Sequence, residues 1–142
     1  MTPAARHVRL FAALLCAAAV GALLFSVQVA TTVFRELPDD HLRAGRVAGH
    51  AFAGAYGITA VAAVIAFAVV WGAPHPRIDR IASLALAAVG AAQLFWITPA
   101  IESHGAGWPG TFASLHATGG ALHVLLAFLA LLLAWRLLAQ RG

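Results

Sequence analysis

Seven histidines are the residues of this 142-residue chain best suited to hold a metal ion or a haem. Five of them, His41, His50, His104, His116 and His123, are expected on one face of the protein or pointing into that half. His50 and His116 come from different segments at matching depth, so a site built on that pair is geometrically the simplest. His41, His104 and Glu102 are its auxiliary donors. His123 lies two helical turns beyond His116, roughly 10 Å along the axis at 1.5 Å per residue. That is too far for both to share one small ion, although His123 can line a flat macrocycle. Imidazole suits copper, zinc and iron, and a carboxylate can complete the shell. Two histidines on separate helices can instead bind haem axially. Gly49, Gly54, Gly119 and Gly120 would leave room beside the rings. The competing reading is that each imidazole hydrogen-bonds a Thr, a Gln or a backbone carbonyl across the protein.

The elements that must position these residues are four apolar runs, over 10–34, 47–71, 81–101 and 115–138. Each reaches the ~20 residues a helix needs to cross a hydrocarbon core. Backbone groups in lipid must be satisfied internally, so the expectation is an all-α, integral membrane, antiparallel four-helix bundle forming a single domain. A mean hydropathy of +0.88 and 62% hydrophobic residues exclude an ordinary soluble domain. The first run also resembles a signal peptide, but its length and the Leu15 before Cys16 favour a retained helix. A single cysteine excludes an intrachain disulfide and a cysteine-cluster metal site.

All nine basic residues are arginines, most of them at helix ends, where topology explains the high pI without nucleic acid. If the chain weaves back and forth, the face holding both termini carries Arg6, Arg9, Arg77, Arg80, Arg136 and Arg141 against Asp79, a net of +5. The other face carries three arginines against four acids, a net of −1. The positive-inside rule then makes both termini cytoplasmic, as in a bacterial-type inner membrane. A histidine-lined pocket would open outward.

Polar residues inside the runs extend this picture. Gln28 and Gln93 are expected to bridge the first and third helices, with Thr98 lining the same pocket and Tyr56 packing beneath it. Gly45, Gly49, Ala53 and Gly57 put a small residue at every fourth position, a stripe that lets another helix backbone approach closely. Asp39 or Asp40 is placed to help cap a short helical turn leading into the second helix. No Ser-His-Asp order, phosphate loop or dinucleotide fingerprint occurs, so no catalytic residue is assigned.

Several of these segments together resemble the transmembrane-protein-205-like family of small four-span proteins, a domain of unknown function. Val33-Phe34-Arg35-Glu36-Leu37-Pro38 is similar to that family's P-x-x-F-R-x-L-P exit from the first helix, with Thr31 where Pro is frequent. Ala44-Gly45-Arg46 followed by Phe52 and Tyr56 resembles its second-helix start. Thr98-Pro99 resembles the close of its third helix, and Phe112, Leu115 and His116 the opening of its fourth. The resemblance implies the four-span architecture and brings no agreed reaction. Only His116 carries over as a family-type residue, because Gly119 and His123 stand where that pattern has Ser and Asn. His50 stands at a commonly small or apolar position.

Two main classes of function follow, and a third, a membrane oxidoreductase whose bound cofactor passes electrons to a partner or quinone, builds on the first. One is a membrane protein binding copper, zinc or haem in a pocket formed by His50, His116 and His123. The other is a structural or accessory subunit that packs through the Gly45–Gly57 stripe against a membrane-protein partner or a second copy of itself.

Overall fold

A computed structural model describes residues 2–103 and 112–140. Within them the chain forms α1 (Pro3–Glu36), α2 (His41–Trp71), α3 (Arg77–Ala92), a π-helical turn (Gln93–Ile97), the short α4 (Thr98–Glu102) and α5 (Phe112–Ala139). No strand occurs among the described residues. Four stretches are long and apolar enough to span a membrane: Pro3–Glu36, Arg43–Trp71, Arg77–Ile101 and Ser114–Ala139. His104 and the loop over residues 105–110 lie outside the described residues, as does the side chain of Glu102.

Helices α1 and α2 begin before their apolar stretches, and each starts on a side-chain cap. Thr2 accepts a hydrogen bond from the Ala5 N–H at 3.3 Å, and Pro3 occupies a first-turn position where its missing N–H costs nothing. Asp40 is the residue that caps α2, accepting from the Arg43 N–H at 3.0 Å. Helix α1 is 34 residues long, roughly 50 Å at 1.5 Å per residue, so its ends reach beyond a ~30 Å hydrocarbon core.

The π-helical turn departs from the continuous helix expected over 81–101. Its position has a local cause in Pro99, which has no N–H to give the carbonyl four residues back and whose ring crowds that carbonyl. Widening the preceding turn relieves the conflict, and the Thr98 N–H bonds the Gln93 carbonyl, five residues back.

Packing follows a four-cornered plan. α1 and α3 each pack against both α2 and α5; α2 and α5 also touch across one diagonal, while α1 and α3 do not approach across the other. Ala12 and Ala13 near the start of α1 meet Val70 at the end of α2 and Leu137 near the end of α5. The main core is alanine with a few leucines, including Cys16, Ala62, Ala66, Leu86, Ala130 and Leu133. Small side chains let helix backbones come close, which matters where lipid tails are as apolar as leucine. Large apolar side chains point outward instead, among them Leu14, Phe25, Val64, Phe95 and Val124. An outer surface of this kind suits lipid rather than water.

Candidate functional site

Two buried polar layers interrupt the apolar interior. One lies near the middle of the helices and centres on His123, which is 8% exposed. The His123 Nε2–H donates to the Leu23 carbonyl of α1 at 3.0 Å, which leaves Nδ1 as an acceptor. The Tyr56 hydroxyl of α2 donates to that Nδ1 at 3.2 Å. Gln93, the first residue of the π-helical turn, donates its Nε2–H to the Tyr56 hydroxyl at 2.8 Å. The result is a directional chain, Gln93 to Tyr56 to His123 to Leu23, that ties the third span to α2, α5 and α1. Ser26 donates to the same Leu23 carbonyl at 2.7 Å. Phe52 meets the His123 ring edge-on, with centroids 5.4 Å apart, and closes one side. The one acceptor left over is Gln93 Oε1, which is buried without a protein partner.

Two local features make this layer fit. A Cβ at Gly119 would stand 3.3 Å from Ile97 and Ile101 side-chain atoms and 3.6 Å from Gln93 Nε2. Glycine there lets the π-helical turn lie against α5, and the π turn sets Gln93 against Tyr56. The chain ends on a backbone carbonyl, and both His123 nitrogens are occupied. Chemically the layer is a clamp that joins helices.

The second layer lies at the end where α1 begins and α5 ends. Asp79, in the first turn of α3, is fully buried. Its Oδ1 pairs with Arg136 Nε from the last turns of α5, and its Oδ2 accepts from Gln140 Nε2 at 2.5 Å. His75 Nδ1 stands 3.5 Å from Oδ2, an ion-pair contact when the imidazole is protonated. The apolar core, with Leu86 and Leu133 fully buried, lies between the two layers.

The other residues marked from the sequence are distributed as follows. His50 and His116 are both exposed, on the diagonal pair α2 and α5, and the structure does not bring them into the core with His123. The His50 Nδ1 bonds its own helix at the Arg46 carbonyl, 2.7 Å away. His41 is exposed and tilts against Phe34 with ring centroids 6.3 Å apart. Among the described residues, no group of three or more His, Cys, Asp or Glu side chains is arranged to hold a metal ion. Gln28 is exposed on α1, which does not approach α3, so the expected Gln28–Gln93 bridge is replaced by the Gln93–Tyr56 bond. Thr98 is half-buried at the start of α4. Gly45, Ala53 and Gly57 are exposed and Gly49 half-buried, and a Cβ on any of the three glycines would meet nothing within 4 Å. The stripe therefore faces out of the bundle. Beside its Gly57 end, Leu15, Gly54, Ile58 and Val61 line a shallow apolar groove between α1 and α2.

Sequence reasoning missed the Asp79 layer by counting Asp79 only in the charge balance of its face. The available signal was the i,i+4 spacing of His75 and Asp79. A lone acid on an otherwise arginine-rich face was a second signal.

A family model described as a domain of unknown function (DUF4149) matches residues 14–106. Tyr56, Asp79 and Gln93 lie within that match, whereas His123 and Arg136 lie beyond it on α5. No curated protein and no solved structure matches the chain.

Proposed function

Since the chain belongs to the DUF4149 family, which brings no activity with it, we propose a structural or accessory role. In this reading the protein is an integral membrane, antiparallel four-helix bundle of the transmembrane-protein-205-like type. It associates through the outer face of α2 with a second copy of itself. One observation carries the reading: the small-residue stripe stays open to the outside, while the hydrogen bonds of His123, Tyr56 and Gln93 Nε2 join the helices. A stripe of small residues at every fourth position is self-complementary about a two-fold axis, so one patch can serve both partners. In lipid such a patch gains by close backbone approach.

The test is the mass of the purified protein in lipid nanodiscs, together with disulfide cross-linking of Ala53→Cys. The native Cys16 is fully buried within its own bundle and should stay silent. A dimer that cross-links at position 53 and becomes monomeric in Gly49→Leu is expected. A monomeric wild type, or a dimer indifferent to Gly49→Leu, would remove the stripe from the proposal.

Orientation is part of the same reading. With the arginine-rich end inside, a cytoplasm-only reporter fused to either terminus should be active, and one inserted at Gly107 should be silent. The opposite pattern would turn the protein over.

A second reading, a transition metal or haem bound among His50, His116 and His123, keeps one favourable observation at His123. Its Nε2–H is anchored on a backbone carbonyl, the arrangement that orients a ligating imidazole. A visible spectrum or metal content that disappears in His123→Ala but survives His75→Ala would make this the better account.

A further inference from the structure

The end of α2 and the start of α3 form a basic corner that the clamp and the dimer stripe do not use. The Arg80 guanidinium lies over the Trp71 ring, 5.5 Å from its centroid, a cation–π contact at the edge of the apolar zone. Arg80 Nε is buried and makes no hydrogen bond with the protein. Arg77 is exposed one turn earlier, and among the described residues neither arginine pairs with a carboxylate. The one acid nearby, Asp79, is fully buried and taken by Arg136 and Gln140, so this corner presents positive charge alone.

Immediately inward the surface turns apolar. Ile81 and Leu84 continue the outward face of α3 from Arg77, being 64% and 54% exposed. Phe67 stacks on Trp71 with centroids 5.3 Å apart. Guanidinium groups and an indole at the interface, followed by exposed aliphatic side chains along the span, repeat the order of a phospholipid: phosphate, glycerol level, acyl chain.

We propose that Arg77, Arg80 and Trp71 form a headgroup site for an anionic phospholipid, with its acyl chain lying along Ile81 and Leu84. The phosphate of such a lipid supplies the acceptors these arginines lack within the protein. The uncancelled positive charge of the corner favours an anionic lipid over a zwitterionic one. Basic residues at a membrane surface each contribute about a fivefold preference for anionic lipid.

The experiment is native mass spectrometry of the full chain released from nanodiscs that contain equal phosphatidylglycerol and phosphatidylcholine. Wild type is expected to retain phosphatidylglycerol preferentially. Arg77→Gln, at an exposed position, should keep its fold and lower that preference by about fivefold. Arg77→Gln with Arg80→Gln should abolish it, while Arg35→Gln at the opposite end should leave it intact. Equal retention of the two lipids by wild type would overturn the proposal, as would an unchanged preference in Arg77→Gln. Displacement of the lipid by millimolar inorganic phosphate would also overturn it, because the site would then recognise a free anion without the membrane component.

Discussion

Arg136→Met should be among the most destabilising single substitutions in this protein, costing about 3 kcal/mol or more. The side chain it abandons is the reason. Asp79 is fully buried, and removing its cationic partner leaves a carboxylate with Gln140 and an imidazole for company. Breaking a buried pair from one side typically costs ~3–5 kcal/mol, whereas replacing both partners is often close to neutral. Arg136 keeps 31% of its side-chain surface exposed, so the value should fall at the lower end of that range. The reverse change, Asp79→Asn, should cost less, because a partly exposed guanidinium can turn toward water or headgroups. The double variant Asp79→Asn with Arg136→Met should recover most of the loss. Thermal unfolding in one detergent, followed by tryptophan fluorescence, would rank the three. If the double variant is no more stable than Arg136→Met alone, charge pairing is not what holds this end together.

Gly119→Leu should be the second severe change, costing about 1–3 kcal/mol from overpacking. Even a Cβ there meets Ile97 and Ile101 side-chain atoms at 3.3 Å, and the branched remainder has to push α5 away from the π-helical turn. That displacement would also pull His123 from Tyr56. Gly49→Leu and Ala68→Leu make the contrast. Position 49 has open space above it and Ala68 is exposed, so the fold of a single bundle should tolerate both. Helical circular dichroism during heating would separate the groups. A Gly119→Leu protein that melts with Gly49→Leu would show that the close approach of α5 and the π-helical turn is dispensable.

The four long apolar helices were legible because composition and run length report directly on a bilayer's thickness, and a cap before α2 was legible as Asp39 or Asp40, of which the structure uses Asp40. The polar interior was much less so. Gln93 reads as an interhelical bonding residue, but its partner depends on which corners of the bundle are adjacent. Hydropathy says nothing about that. With α1 and α3 on the far diagonal, the glutamine turns to Tyr56, which by type alone looked like a packing residue. His50, His116 and His123 look alike in sequence, yet the first two are exposed and the third is buried; His116 and His123 share a face of α5, so depth along the helix separates them. The small-residue stripe was visible, but whether such a stripe meets a helix of its own chain is a question of rotation. The π-helical turn left only Pro99 as its trace, and a proline in a span is just as compatible with a kink.

Both polar layers depend on α5, which is made after α1 to α4. His123 completes the Tyr56 and Leu23 bonds, and Arg136 completes Asp79. Until α5 is made, Tyr56 and Asp79 lack those partners, whereas Gln93 already has Tyr56. A product that stops in the loop before α5 would contain every residue of the family match, yet it would expose these groups on surfaces α5 normally covers. Such a polypeptide should be cleared faster than the chain that includes α5, which would make α5 a check on the helices that precede it.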